Sequence, residues 1–476
     1  MSLMDDVKAR LAKVGHSHLL NFAHELTPPA RDALVNQVAA LDLEALPALI
    51  EAYVLKKPKF ELPASVEPAP YYSHNDKSAH GSWDRARFRH EGELLIRAGK
   101  VAAFVVAGGQ GSRLGYEGPK GCFEAGVISN KSLFQLFAEQ LLGAKRRYGV
   151  VVPWYVMTSP LNHAATVAFF EKHDFFGLAK QDVLFFPQGV MPSLDINSGK
   201  VLLASKSEVA TNPDGHGGAI RALVLSGAVA DMKRRGIEHV SYFQVDNPHV
   251  RILDPVFIGL HAAAPDSSAE MSSKMIPKVA PEEKVGVFCK VNGKVEVIEY
   301  SDLPMDLQKQ RLPDGSIRFI AGSIAIHMIA VEFIERLAND PRFALPYHRA
   351  EKKIPCVDPA SGASINPAAN NGVKLERFVF DALAMCKGSI VFETDRVEEF
   401  APIKNATGVD SVESCRLLQT ERGARWLEKR GSRVARRPDG SPDCVIEIGP
   451  LTATEPAEIP AAVLPGSVGA NAKLSL

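Results

Sequence analysis

At 476 residues, 46% of them hydrophobic and 23% charged, the chain has room for two or three domains around at least one large core. Lys and Arg total 55 and Asp and Glu total 55, so nothing points to a nucleic-acid surface or an anionic membrane. The longest apolar stretches are strand-sized, which excludes a transmembrane helix, and the first ten residues lack the apolar core of a signal peptide. Cysteines 122, 289, 356, 386, 415 and 444 are widely spaced with no Cys-x-x-Cys pair. That suits a reducing cytoplasm and argues against a zinc knuckle or a disulfide framework.

Residues 1–55 read as helical, with apolar side chains at roughly helical spacing over 7–14 and 41–53. A proline-rich passage over 58–70 reads as a linker. From about residue 85 strand and helix patterns alternate. Strands are expected at 101–107, 154–158, 183–186, 240–245, 268–275 and 285–291, and helices at 132–148, 162–173, 218–235 and 324–337. Such alternation predicts an α/β domain with a mostly parallel sheet, whose ligands bind beyond the carboxyl ends of the strands. After residue 405 the chain becomes richer in Gly and Pro, with short β-like pieces such as 444–448. The expected division is an N-terminal helical region and linker (1–85), a central domain (86–404) and a small β-containing C-terminal domain (405–476).

The most informative segment runs from Val101 to Lys120. A buried-strand pattern breaks into Gly108, Gly109, Gly111, Gly115 and Gly118, with Arg113 and Lys120 as the only cations. Glycines let backbone N–H groups approach a ligand closely, and neighbouring cations favour phosphate, so the segment reads as a nucleotide phosphate loop. Two familiar loops are excluded by spacing. No Gly-x4-Gly-Lys-[Ser/Thr] run occurs here, and Gly109-Gln-Gly111-Ser-Arg-Leu114 has leucine where the Rossmann fingerprint needs its third glycine. The failed fingerprint also argues against a dehydrogenase. A glycine-rich turn without a ligand is the plainer alternative.

A second signal is Thr211-Asn-Pro-Asp-Gly-His-Gly-Gly218 before a helical run, where glycines can present N–H groups to an anion or a base edge. An ordinary Pro-Asp-Gly turn explains it equally well. Gln188, after a strand-like run, can read a base with its amide, though a surface glutamine is the commoner case. Third, Ser241-Tyr-Phe-Gln-Val-Asp246 puts a carboxylate at the end of a buried strand, a hard oxygen ligand suited to Mg²⁺, or else a turn cap. Lys404 alone reads as a solvated lysine. The histidines, His216 in the glycine turn and His16, His18 and His24 near the N-terminus, form no zinc pattern. No Gly-x-Ser-x-Gly elbow is present.

Over about residues 90–410 the chain resembles the eukaryotic-type UDP-N-acetylhexosamine pyrophosphorylases, within the wider UDP-sugar pyrophosphorylase family. The resemblance is carried by Ala107-Gly-Gly-Gln-Gly-Ser-Arg-Leu-Gly115, Pro119-Lys-Gly121, Met157-Thr-Ser159, Pro213-Asp-Gly-His-Gly-Gly218, Val245-Asp-Asn247, Asp254-Pro-Val-Phe-Ile-Gly259, Lys374-Leu-Glu-Arg-Phe-Val-Phe380 and Ile403-Lys-Asn405, in that order. It implies a Rossmann-like, GT-A-like nucleotidyltransferase domain and a reversible reaction in which UTP and a sugar 1-phosphate give a UDP-sugar and pyrophosphate, with Mg²⁺. By motif, Val106, Ala107, Gly108, Gly109, Gln188 and Gly215 would hold uridine. Arg113, Lys120 and Lys404 would bind phosphates with Lys374 nearby, and Asp246 would hold the metal. Glu299, Tyr300, Phe378 and Phe380 would surround the sugar.

Two departures touch the sugar side. His216 stands where N-acetylhexosamine enzymes usually have Asn, as it does in UDP-glucose pyrophosphorylases. Ser323 and Ile326 replace two further asparagines of a Gly-Asn-Ile-x-Asn-His pattern. Lost polar contacts can alter specificity. Glu299-Tyr300 and Phe378-Val-Phe380 keep the N-acetylhexosamine pattern, so the expected substrate is N-acetylglucosamine 1-phosphate, with glucose 1-phosphate or a broad sugar range as the alternative. A catalytically inactive UTP- or UDP-sugar-binding protein would have lost cations or Asp246, and none is lost. The expected protein is a cytoplasmic monomer or weak homo-oligomer, with no nucleic-acid or membrane partner.

Overall fold

The computed structural model describes residues 2–57, 60–78, 81–340, 342 and 344–476. The first two residues of the expected linker, Pro58 and Lys59, lie outside this set, as does Met1 of the expected helical region. The chain divides into two compact units, one of residues 1–61, 188–219 and 345–379 and one of residues 62–187, 220–344 and 380–476. These limits differ from the expected boundaries after 85 and 404.

In the first unit, helix α1 (Leu3–Lys13) begins at a capping box in which Ser2 accepts from the Asp5 N–H, and α2 (Pro28–Ala39) starts with proline in its first turn. Their apolar faces, Val7, Leu11, Leu34 and Val38, join Leu194, Leu203, Val373 and Leu375 in one buried cluster. The N-terminal helices therefore complete a core drawn from three separate stretches of chain. Strand Gly372–Glu376 pairs with His348–Lys352 on one side and Leu194–Asp195 on the other, and Thr211–Pro213 pairs with Val190–Pro192.

The second unit holds a ten-stranded mixed sheet. Its strands are β1 (Val66–Pro68), β2 (Val101–Val106), β3 (Trp154–Thr158), β4 (Val183–Pro187), β5 (His239–Gln244), β6 (Met271–Pro277), β7 (Val287–Val291), β8 (Lys294–Ile298), β9 (Ala321–Ala330) and β10 (Val391–Glu393). The order is β1-β7-β9-β5-β2-β3-β4, with β6 between β9 and β10 and β8 on β7. Strands β5, β2, β3 and β4 run parallel, and all six residues of β2 are buried, as an unbroken apolar run requires. Helix α3 (Arg85–Arg97) precedes β2, α4 (Leu133–Tyr148) leads to β3, and α5 (His163–Lys172) leads to β4.

Two expected helices come out differently. The run 218–235 is two helices, α6 (Gly218–Leu225) and α7 (Ala228–Arg234), broken at Gly227, which takes a left-handed φ of 80°. The expected helix 324–337 is the second half of β9 followed by α9 (Val331–Asn339), because pairing with β5 and β6 overrides a helix-like apolar spacing. Beyond these, α8 (Pro255–Ala263) starts at the Asp254 cap, and α10 (Val412–Lys429) packs with Ile446, Ile448 and Val468 in a small apolar cluster. No helix among the described residues is long and apolar enough to cross a membrane.

Helices α3 and α8 meet backbone to backbone. A Cβ on Gly92 would fall on the Pro255 carbonyl oxygen, and one on Gly259 would fall on that of Phe88. Backbone atoms cannot rotate away as a flexible side chain can. Gly259→Ala is therefore expected to cost about 2–3 kcal/mol or more of stability, the upper range for overpacking. Urea midpoints check this, and an unchanged midpoint would contradict the close crossing.

Candidate active site

Register sets the site. Val106 of β2 is level with Gln244 of β5 and Met157 of β3, so the segments that follow all leave the sheet at one edge. There the Ala107 N–H donates to Met157 O (2.7 Å) and the Val245 N–H to Val106 O (3.2 Å). The glycine segment closes on itself through Gly111 N–H to Gly118 O (2.9 Å) and Lys120 N–H to Gly109 O (3.0 Å). Gly115 and Gly118, with φ of 69° and 144°, make that closure possible. Among the described residues, Arg113 and Lys120 have no acidic partner, and the N–H groups of Gly108, Gly109 and Gln110 have no acceptor. Cys122 is buried beside this loop and burial pushes its thiol up to about 12, so it stays neutral and offers no thiolate nucleophile.

Asp246 lies two residues beyond β5, half-buried, and its carboxylate makes no hydrogen bond or ion pair among the described residues. Its backbone carbonyl accepts from the Ile403 N–H at 2.8 Å, which sets Lys404 beside it in the fold. Asn247 extends the join. Its amide donates to Glu399 O (2.7 Å), and its oxygen accepts from the Ala401 N–H (3.1 Å). Behind this join Lys274, fully buried, contacts Asp254 at 2.7 Å and Glu399 at 2.6 Å. Burial opposes ionisation of Asp254, but Lys274 and Arg251 outweigh it and hold that carboxyl well below its usual range.

Lys404 is not the lone solvated cation expected from its sequence. Its ammonium lies 3.3 Å from Asp410, whose backbone carbonyl also accepts from the N–H groups of Lys404 and Asn405. No group of three or more His, Cys, Asp or Glu side chains suited to a metal occurs among the described residues. The single unpaired carboxylate of Asp246 does fit Mg²⁺, which keeps most of its sphere for water and substrate phosphates and takes one or two carboxylates from protein.

Elsewhere in this unit the Ser323 N–H donates to Gly286 O at 2.8 Å, and a Cβ on Gly286 would lie 3.2 Å from Glu299 Oε1, so Ser323 and Glu299 share one neighbourhood. Tyr300 is exposed and Phe380 is buried. Ala325, at φ 54°, marks an irregularity in the β6–β9 register, and Ile326 is only 2% exposed within the main core. The Ile326 departure therefore alters core packing and presents no group to a sugar.

The remaining expected residues belong to the first unit. Gln188 is 7% exposed, not a surface residue, and its amide has no hydrogen bond among the described residues. In the glycine turn the Gly217 N–H donates to Arg377 O (2.8 Å) and the Gly218 N–H to Gly215 O (3.0 Å). Those two donors are consumed by the turn and do not face an anion. Gly215 takes a φ of 83°, and a Cβ there would strike the Arg377 backbone. His216 stacks on Phe378 (centroids 5.0 Å apart, 12° between planes), and Phe378 stacks on His348 at 4.1 Å. The Val379 N–H donates to His216 Nδ1 at 3.1 Å, which leaves Nε2 to carry the proton of the neutral ring. Lys374 sits on the strand Gly372–Glu376, paired with Ala350.

A family profile described as UTP–glucose-1-phosphate uridylyltransferase matches residues 80–433. The chain belongs to that family. The mouse UDP-N-acetylhexosamine pyrophosphorylase-like protein 1 is 37% identical to this uridylyltransferase-family chain, with 94% of the chain and 92% of the relative covered. The UDP-N-acetylglucosamine pyrophosphorylase of Saccharomyces cerevisiae is 35% identical, with 90% and 92% covered. Among solved structures, the uridine diphosphate N-acetylglucosamine pyrophosphorylase of Trypanosoma brucei in complex with an inhibitor superposes with a TM-score of 0.80 at 26% identity, covering 96% of this chain and 94% of that one.

In this family member, Asn247, Asp410, His348 and the Lys274 cluster went unread in the sequence. Of these, Asn247 stands in the Val245-Asp-Asn247 motif and Asp254, a partner of Lys274, heads Asp254-Pro-Val-Phe-Ile-Gly259, both part of the resemblance. His216 also gives a pH test. Burial, followed by the charge of His348, pushes its pKa from 6.5 down to about 4. Between these values the unfolded chain binds the proton more readily, so the folded state loses stability as pH falls from 6.5 towards 4. His216→Asn is expected to gain stability relative to the native chain as pH is lowered through this window. Urea midpoints of the two proteins at several pH values check this, and a constant difference between them would contradict it.

Proposed function

We propose that the protein is a uridylyltransferase that makes a UDP-sugar and pyrophosphate from UTP and a sugar 1-phosphate, with N-acetylglucosamine 1-phosphate as the sugar substrate. The observation that carries this reading is the level register of Val106 and Gln244, which sets the glycine loop, Arg113 and Lys120 at the same sheet edge as Asp246 and Lys404. The identity to relatives named for N-acetylhexosamine and N-acetylglucosamine supports the choice of sugar.

A sugar phosphate oxygen attacks the α-phosphorus of UTP in line, and pyrophosphate leaves on the opposite side. Both reactants are polyanions, so their repulsion must be overcome before they react. Arg113 and Lys120, which have no acidic partner among the described residues, supply positive charge that needs no rearrangement. Lys404 exchanges Asp410 for phosphate when substrate binds. Asp246 would hold Mg²⁺ together with substrate phosphates, and the bound ion supplies further charge neutralisation. Positioning and charge stabilisation suffice without a covalent enzyme intermediate. Six buried, unpaired cysteines are consistent with a cytoplasmic setting.

Glucose 1-phosphate is the second reading. His216 in the glycine turn favours it, as does Ser323 beside Glu299, since a hydroxyl cannot span the distance an amide fills.

Pyrophosphate release from UTP with each sugar 1-phosphate, with and without Mg²⁺, tests both readings. The higher kcat/KM is expected for N-acetylglucosamine 1-phosphate. A strong glucose preference would overturn the choice of sugar, and no release with any sugar would overturn the enzyme. Lys120→Ala is expected to lower turnover by roughly 10²-fold or more, the scale of losing one preorganised charge contact. Near-normal turnover at saturating substrate would remove Lys120 from the chemistry.

A further inference from the structure

Asn162 lies just past β3, at the start of α5, and is 1% exposed. Asparagine at a helix start commonly accepts from N–H groups of the helix's first turn, but this one makes no such bond to α5. Its amide nitrogen donates to Ala107 O at 3.0 Å and to Gly109 O at 3.2 Å. Its amide oxygen accepts from the Ser159 N–H at 2.7 Å. The partners fix which way the amide faces, because the reverse orientation would set oxygen against two carbonyls and NH₂ against an N–H.

The consequence follows from peptide geometry. A trans peptide holds its C=O and the next N–H on opposite sides of the chain. With the Ala107 carbonyl turned to Asn162, the Gly108 N–H points the other way. With the Gly109 carbonyl held by both Asn162 and the Lys120 N–H, the Gln110 N–H points the other way too. Neither of these two N–H groups has an acceptor among the described residues. Gly108 and Gly109 have no side chains to restrict rotation, so without an anchor these peptide planes could turn and withdraw the donors.

We infer that Asn162 is a positioning residue for UTP: by holding the Ala107 and Gly109 carbonyls, it keeps the Gly108 and Gln110 N–H groups aimed as preorganised donors to the nucleotide. This rests on the uridylyltransferase reading. Asn162 does not touch substrate and acts through the loop alone.

The test is steady-state kinetics and UTP calorimetry on the full chain, with Asn162→Ala, Asn162→Thr and the native protein compared well below their melting temperatures. In N162A the KM and Kd for UTP are expected to rise about tenfold or more, as when buried hydrogen-bonding groups are left unmatched. The KM for the sugar 1-phosphate is expected to stay within about twofold, the signature of an interaction confined to one substrate. Threonine keeps one donor, so N162T should fall between N162A and the native protein, and it decides the question if N162A does not fold. A purely structural role would lower the melting temperature and leave the two KM values unchanged or raise both alike. Either result would overturn the inference. A native protein that fails to bind UTP at all would instead contradict the functional reading beneath it.

Discussion

The ammonium group of Lys274, fully buried between the carboxylates of Asp254 and Glu399, is the constraint on which the sheet edge carrying Asp246 and Lys404 depends. A buried charge left without its partner costs about 3–5 kcal/mol, so the three side chains are held together once the chain folds. Each is also attached to a different part of the site. Lys274 belongs to β6, Asp254 caps α8, and Glu399 begins the segment that runs to Lys404. Glu399 is fixed further by the Thr394 hydroxyl at 2.7 Å and the Arg251 N–H at 3.1 Å. From there Asn247 and Asp246 bind the backbone of residues 399–403, so a core ion cluster determines where Lys404 stands.

The cations of the site are prepared in two ways. Arg113 and Lys120 are carried on a segment that closes on itself, and among the described residues no carboxylate competes for them. Lys404 is paired with Asp410, which the proposed reaction would have it exchange for a substrate phosphate. The first arrangement keeps positive charge ready at low reorganisation cost. The second balances the charge of Lys404 locally. Around the expected sugar residues the balance differs, with Ser323 and Glu299 in one unit and a His216–Phe378–His348 stack in the other.

Much of the parallel sheet was legible in the sequence because its strands are buried on both faces and end at turn-forming residues. Val101–Val106 runs into Gly108 and His239–Gln244 into Asp246, whereas Trp154–Thr158 ends at Ser159-Pro160. The antiparallel strand Ala321–Ala330 is not marked in this way, since Ile324, Ile326, Met328 and Ile329 fit either period, and only pairing with β5 and β6 decides between them. The core of the first unit was illegible for a related reason. Leu11, Leu203 and Val373 each look locally ordinary, and their meeting is a property of the tertiary fold. Among site residues, glycines and cations announce themselves by clustering. Asn162 holds a carbonyl 55 positions away and Lys274 a carboxylate 125 away, and nothing adjacent in sequence marks either.

The most direct measurement follows the α-phosphorus of UTP. With labelled UTP, N-acetylglucosamine 1-phosphate and Mg²⁺, label should appear in UDP-N-acetylglucosamine in equal amount to the pyrophosphate released, and Asp246→Asn should suppress this transfer. Label recovered only as UMP, or no product with any sugar 1-phosphate, would contradict uridylyl transfer at this edge of the sheet.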